Sequence, residues 1–401
     1  MPCASELRTF WGMHGKVGFL VSALMVAPMV DAAEPWPAES AAQAVNLTAV
    51  EGPGTNDFHV DLSGAFWNPK AKRLWVCRNG PAPNSKLWSL VPNVGGTFDV
   101  EYRAGNRGEW TGFGDLEDVT QVDLDADIVY LMVEAEEHIK AYDVSSFGTA
   151  VLLRDWNVRP HLPLSGGSGA EGITFVPDRF LAAGGFVNSV GAPYTSTRGM
   201  GGLMLVGHQN GGAVYAFDLD PASNAFTFVG EYRTGYDETA ALHFDRGNGR
   251  LYVWHDADWD TWEICGLGSA PISGSSARRL NTIRTFDGPH HRNNEGLALT
   301  STDECTAGSR GAFLTTDGGG FESLTWFTQY VEGCTTLHVD KNSAAGTVEL
   351  QWSGGVAPYT LLRAEDPVMA QGRTALLDQA PTTTSSDPVL MNAKSYYYMV
   401  P

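Results

Sequence analysis

Short apolar runs recur along most of the chain, each broken by a cluster of Gly, Asn, Asp or Pro, with almost no helical periodicity between them. Five runs begin alike: "DLSGAFWNPKAKRLWV", "DLEDVTQVDLDADIVYLMV", "GAEGITFVPDRF", "ETAALHFDRGNGRLYVW" and "NEGLALTSTDE". Aligning their apolar positions brings Ser63, Glu117, Glu171, Ala240 and Glu295 into register, at intervals of 54, 54, 69 and 55 residues. The long interval holds "GGFVNSVGAPYTSTRGMGG", which reads as a loop on one rim. After each start a second apolar run follows ("LWVCRN", "IVYLMVE", "LMLVGHQ", "LYVWHD", "AFLTTD"), then a third. A fourth is visible in most units, as in "TFDVEYR", "AVLLRDW", "FTFVGEYR" and "RRLNTIRTF".

Four antiparallel strands repeating every fifty-odd residues predict an all-β fold, a five-bladed β-propeller over residues 33–334. Its blades start near residues 61, 115, 169, 238 and 293. The fifth unit lacks a clear fourth strand, and "AVNLTAV" at 44–50 belongs to no unit. That segment is expected to supply the missing outer strand and close the ring, removing an open edge. A sixth blade has little support, because stepping 54 residues back from Ser63 lands in the N-terminal apolar segment. Residues 335–401 alternate without the propeller start and resemble a small fibronectin-III-like β-sandwich, either short or incomplete. Trp352 and Tyr397 are its expected core aromatics.

The N-terminus modifies where this fold is expected to work. Arg8 and Lys16 precede the apolar run "VGFLVSALMVAPMV", and Val30 and Ala32 fit a cleavage site, so residues 1–32 read as a signal peptide. An uncleaved anchor is the alternative. The expectation is a secreted, extracellular or periplasmic protein, a monomer with no stable membrane span after cleavage. Export makes Cys77, Cys265, Cys305 and Cys334 candidates for disulfides, with three connectivities open. Cys305 with Cys334 would staple the last blade. Cys77 with Cys265 would join blades one and four, which are not neighbours. The net charge of −20 argues against nucleic acid as a partner.

The first strand of each propeller blade lines a central channel, and residues at its start face the axis. Asp61, Asp115, Glu117, Glu171, Glu238 and Glu295 are therefore expected to converge, with Glu238 one register step off. Carboxylates crowded in a narrow channel must protonate, pair with bases or bind a cation. Hard oxygen donors without His or Cys favour Ca²⁺. A water-filled acidic channel is the competing reading. Ser63, His291 and Arg292 are possible ligand contacts at the channel. Phe186 and Tyr194, near the long insertion, are candidate aromatics for a sugar or peptide, or else pack against the rim. "HDADWDTWE" and "DLDAD" lack the spacing of a calcium loop and read as solvated turns.

The series "LSG", "LED", "AEGIT" and "NEGLAL" resembles the SdiA-regulated and esterase-like phytase groups of β-propellers, over roughly residues 44–334. The resemblance implies an exported or membrane-linked protein with calcium in the channel, and Glu117, Glu171 and Glu295 as ligands. Ala240 departs from the pattern. Two functions follow. One is an exported calcium-binding propeller acting as a binding or scaffold protein toward an unknown protein, glycan or small molecule. The other is a calcium-dependent, phytase-like phosphoester hydrolase, in which the ion activates water. The second needs basic side chains for a polyanionic substrate. Arg73, Arg78, Arg250 and Arg292 are scattered over different blades, which favours the first.

Overall fold

The second strand of the third repeat, Gly202–His208 (GLMLVGH), is buried along its whole length, and so is the strand after it, Ala213–Leu219. Strands covered on both faces read as unbroken apolar runs rather than as alternation, which explains why these segments were legible. In the computed structural model, the described residues are 33–51, 58, 61–81, 84–164, 169–256, 260–289, 293–317, 323–342, 347–353, 359–364, 374–380, 384–387 and 396–400. The expected signal segment, His291 and Arg292 lie outside them.

Each repeat folds as an up-and-down sheet whose first strand is innermost. The inner strands are Leu62–Asn68, Leu116–Thr120, Ala170–Pro177, Ala241–Asp245 and Asn294–Leu299. Each touches the next in chain order, and Asn294–Leu299 touches Leu62–Asn68, so the inner strands form a closed circle. The hydrophobic clusters sit at the seams. One gathers Ile139, Trp156, Phe175 and Phe217 between the second and third units. Another gathers Trp67, Trp88, Phe98 and Phe313 between the fifth and first. Sheets arranged face to face around an axis in this way are a β-propeller.

Turn chemistry sets the hairpins. In the first unit Asn68 Oδ1 accepts from the Lys70 and Ala71 N–H groups, both at 2.9 Å, and Lys72 adopts φ 52° to return the chain. In the fourth, Asp245 Oδ1 accepts from Gly247 N–H at 2.7 Å, and Gly249 takes φ 71°.

The N-terminal segment straps the ring. Glu34 pairs in parallel with Phe286 at the outer edge of the fourth unit. Trp36 packs among Trp254, Trp262, Phe327 and Tyr330. The Glu39 carboxylate accepts from the Thr328 and Gln329 N–H groups at 2.6 and 2.9 Å. Val45–Asn46 then pairs antiparallel with Thr325 and Trp326, as the outer strand of the fifth unit.

Four features correct or decide between the sequence expectations. The outer strands of the third and fourth units pair with each other in parallel (Tyr232 with Arg278, Arg233 with Arg279), fusing those units into one eight-stranded sheet. Cys305 and Cys334 are bonded, whereas Cys77 and Cys265 are free and buried in different units. The insertion's aromatics are not exposed ligands: Phe186 is 3% exposed against Tyr232, and Tyr194 donates to Asp218 at 2.9 Å. Arg73, one of the arginines weighed for phosphate binding, has its guanidinium buried against Glu101 and Asp127. Beyond the propeller, the strands within 336–400 form two three-stranded sheets, with Trp352 buried.

In three units the inner strands approach so closely that a side chain is excluded just after the register position, at Gly64, Gly172 and Gly296. A Cβ on Gly64 would lie 2.5 Å from Asp118 Cα and from the Glu117 carbonyl oxygen. One on Gly296 would lie 2.4 Å from the Ser63 carbonyl oxygen. Gly64→Ala is expected to destabilise the protein by about 1–3 kcal/mol, since backbone of the next strand stands in the way and would have to shift. Urea unfolding of the variant measures it, and an unchanged midpoint would mean the strands are farther apart.

Candidate functional site

The carboxylates are aimed by an irregularity repeated at the start of the inner strands. Pairing with the second strand slips between Leu62 and Ala65, between Ala170 and Ile173, and between Asn294 and Gly296. The corresponding slip in the second unit falls between Met132 and Val133, opposite Leu116–Asp118. Each slip leaves the register residue (Ser63, Glu117, Glu171, Glu295) outside regular pairing, and a bulge of this kind re-aims a side chain. A second repeated contact fixes the neighbouring strand end. The N–H groups of Asn79, Glu134, Gln209 and Asp317 donate to the carbonyls of Asp61, Asp115, Gly169 and Asn293, at 3.0, 2.9, 2.9 and 2.9 Å.

Two acidic groups result. In the first, Asp115, Glu117 and Glu134 each present an oxygen within 4.8 Å of the other two. Glu171 of the third unit lies close enough to Glu117 for each carboxyl to act on the ionisation of the other. Burial, then the charges of Glu134 and Asp115, pushes Glu117 up to about 8. Burial, then Glu117, Glu134 and Glu295, holds Glu171 well above the usual carboxylate range. The Ser63 hydroxyl, 1% exposed, lies close enough to Glu117 to favour its ionised form, yet has no partner of good hydrogen-bond geometry.

The second group gathers Asp61, Glu238, Asp256, Glu295 and Asp317. Burial, then Asp317, Glu117, Asp256 and Glu238, pushes Glu295 up to about 10. Asp317 is raised by burial and by a hydrogen bond with Asp61, which itself sits at φ 50°. Burial, with Glu238 and Asp260 adding to it, lifts Asp256 to about 7 against the Asn294 N–H that it accepts. Of the six acids expected at the channel, Glu117, Glu171, Glu238 and Glu295 influence one another across units, Asp115 acts on Glu117 within its own unit, and Asp61 acts on Asp317. Glu238 joins them despite its shifted register, through its effect on Asp256 and Glu295. No Lys, Arg or His is among the strongest influences on Glu117, Glu171 or Glu295.

Sequence reasoning missed Glu134 and Asp317 and read Asp256 as part of a solvated turn, whereas it is buried; the signal was present, since each second strand is followed by an acid or amide, Asn79, Glu134, Gln209, Asp256 or Asp317. It also missed Asp118, which stands where other units carry Gly64, Gly172 or Gly296. Its buried carboxylate accepts from Ile173 N–H of the next unit and from its own Val119 N–H, both at 2.8 Å. That makes it a strap between inner strands rather than a channel ligand.

The donor set is hard oxygen throughout. Oxygens on opposite sides of a calcium ion stand about 5 Å apart, so the separation among Asp115, Glu117 and Glu134 fits one such ion. Among the described residues, no helix is long and apolar enough to cross a membrane.

No family model and no curated protein matches the chain. Solved structures do resemble it. A periplasmic gluconolactonase of Pseudomonas aeruginosa is 14% identical over 57% of this chain and 54% of its own, with a TM-score of 0.32, so the match spans about half that protein's length. A candidate 6-phosphogluconolactonase of Bacteroides fragilis is 10% identical over 81% and 86% of the two chains, at a TM-score of 0.35. A functionally unknown protein of Desulfotomaculum acetoxidans is 11% identical over 79% and 89%, at 0.34.

The raised carboxyls couple stability to pH. With no cation bound, folded Glu117 and Glu295 keep protons that the unfolded chain loses near pH 4.3. Above that pH the folded state holds more protons, so their contribution is lost as pH rises through about 8 and toward 10. The urea midpoint of chelator-treated protein is expected to fall from about pH 5 to about pH 9, less steeply in Glu117→Gln. Identical profiles for the two proteins would show that Glu117 ionises normally.

Proposed function

We propose that this chain is an exported, five-bladed propeller that binds Ca²⁺ through Asp115, Glu117 and Glu134, with Glu171 beside them, and acts as a binding or scaffold protein. The observation that carries the reading is the Asp115–Glu117–Glu134 trio, brought to one point by two adjacent strands with no basic side chain prominent among its influences. Such an arrangement either keeps its protons or takes a cation. A divalent ion would displace the protons that Glu117 and Glu171 hold and relieve the repulsion from Glu134 and Asp115. Bound there, calcium would supply fixed positive charge at the channel mouth, and the Ser63 hydroxyl would be a neighbouring neutral donor or acceptor. The Cys305–Cys334 disulfide supports an oxidising compartment. The finer likeness to SdiA-regulated and phytase-type propellers, and to a fibronectin-III-like module in 335–401, is part of the same reading.

Binding is preferred to phosphoester hydrolysis on one observation. A phytase-like site needs free guanidinium or ammonium groups to clamp phosphate. Arg73, one of the arginines weighed for that role, is engaged with Glu101 and Asp127. Arg246 donates to the backbone carbonyls of Gln121 and Val122 instead.

The test is calorimetric titration of chelator-treated protein with Ca²⁺ at about pH 6 and about pH 8, in buffers of different ionisation enthalpy. Binding is expected to be tighter at the higher pH, to release protons, and to weaken at least about tenfold in Glu117→Gln and Glu171→Gln. Absence of heat, or equal binding in both variants, would sink the calcium reading. Hydrolysis of phosphate esters dependent on added Ca²⁺ would overturn the preference for a binding protein.

A further inference from the structure

The turn that carries Glu134 inward turns its next side chains toward solvent. Glu136, His138 and Asp155 each bring one donor atom within 4.8 Å of the other two. His138 Nδ1 lies 2.6 Å from Asp155 Oδ1 and 3.5 Å from Glu136 Oε2. We propose that this trio, on the outer strands of the second unit, is a binding site for a divalent transition ion of the Zn²⁺ class, separate from the channel carboxylates.

The backbone holds the trio on one face. His138 opens the strand His138–Asp143, which pairs with Val151–Asn157 so that His138 faces Asn157 and Lys140 faces Asp155. Asp155 is thus the diagonal neighbour of His138 on the same side of the sheet, within reach of its ring. The strand bearing Asp155 is fixed from behind by the third unit. Arg154 Nε donates to the Pro221 carbonyl at 2.8 Å, and Trp156 Nε1 donates to the Ser223 carbonyl at 3.1 Å. Only Glu136 comes from a turn, and Lys140 Nζ steadies its carboxylate at 2.8–2.9 Å.

The spacing suits a small ion. Tetrahedral zinc with bonds near 2.0–2.2 Å places its donors roughly 3.3–3.5 Å apart. The His138–Glu136 separation already has that value. Asp155 must lengthen its hydrogen bond to His138 by less than about 1 Å, a side-chain adjustment. The imidazole selects against Ca²⁺, which takes oxygen ligands, and toward the borderline metals. Side-chain exposures of 47% for Glu136, 20% for His138 and 32% for Asp155 leave an approach from solvent and a fourth position for water. Two carboxylates against one ammonium, Lys140, leave the place negative before any ion arrives.

The experiment is calorimetric titration of the full chain with Zn²⁺ in the presence of excess Ca²⁺. Wild type is compared with His138→Ala, Asp155→Asn and Glu117→Gln. Affinity is expected to fall at least about tenfold in the first two and to stay unchanged in Glu117→Gln. Asp155→Asn preserves shape, so a loss shared by both variants is not a folding defect, and thermal melts of each protein check this. An unaltered isotherm in His138→Ala, or a loss confined to Glu117→Gln, would overturn the proposal, the latter by putting the zinc in the channel.

Discussion

Everything at the centre of this molecule follows from how near the inner strands come to one another around the axis. At Gly64 and Gly296 the next strand's backbone occupies the volume a Cβ would need. That contact forces a glycine immediately after the register position in three units, while the second unit has Asp118, which bridges the gap, and the fourth has the small Ala241. The contact also forces the slip in pairing that frees the register residue. The carboxylates are therefore concentrated by packing. Their raised affinity for protons is a secondary consequence of the geometry that closes the ring, since burial is the largest cause of each shift.

The same constraint explains how far the sequence could be read. Strands buried on both faces announce themselves as apolar runs, and the recurring Ser63, Glu117, Glu171 and Glu295 starts mark the repeat. Hairpin turns such as 68–72 carry their own side-chain chemistry in Asn68. What was illegible depends on distant partners. The parallel pairing of Tyr232 with Arg278 is set by two outer edges meeting, and nothing local in either strand announces it. Phe186 and Tyr194 look like surface aromatics until the insertion folds back onto Tyr232 and Asp218. Glu134, Asp256 and Asp317 were legible in principle, one residue beyond runs already recognised as strands. They were passed over because a polar residue after a strand ordinarily reads as a turn.

The polar interior is not uniform in kind. Toward the strand starts, acids face acids. Toward the strand ends, charges are matched: Arg310, fully buried, meets Asp245 at 2.5 Å and Glu332 at 3.3 Å and lies over the rings of Tyr252 and Tyr330. Arg73 is similarly enclosed by Glu101 and Asp127. A buried pair of opposite charges fixes its partners, and removing one member leaves the other stranded. A buried set of like charges remains open to whatever neutralises it. One rim of the ring is electrostatically complete and the other is receptive.

The strap that completes the fifth unit sets a schedule for the chain. Glu39 and Thr328, joined by a hydrogen bond, are 289 residues apart in sequence, and Asn46 must wait for Thr325. A ribosome makes the two halves of this seam 289 residues apart. The segment 34–46 therefore waits for its docking surface until residue 330 has emerged, although the inner strands can meet once Asn294–Leu299 is made. Closing so long a loop is also the slowest kind of contact to find. The outermost strand of the last unit is thus both the first piece of the propeller to be made and the last to be placed. A pull on the N-terminus would peel that strand away before it loaded any inner one.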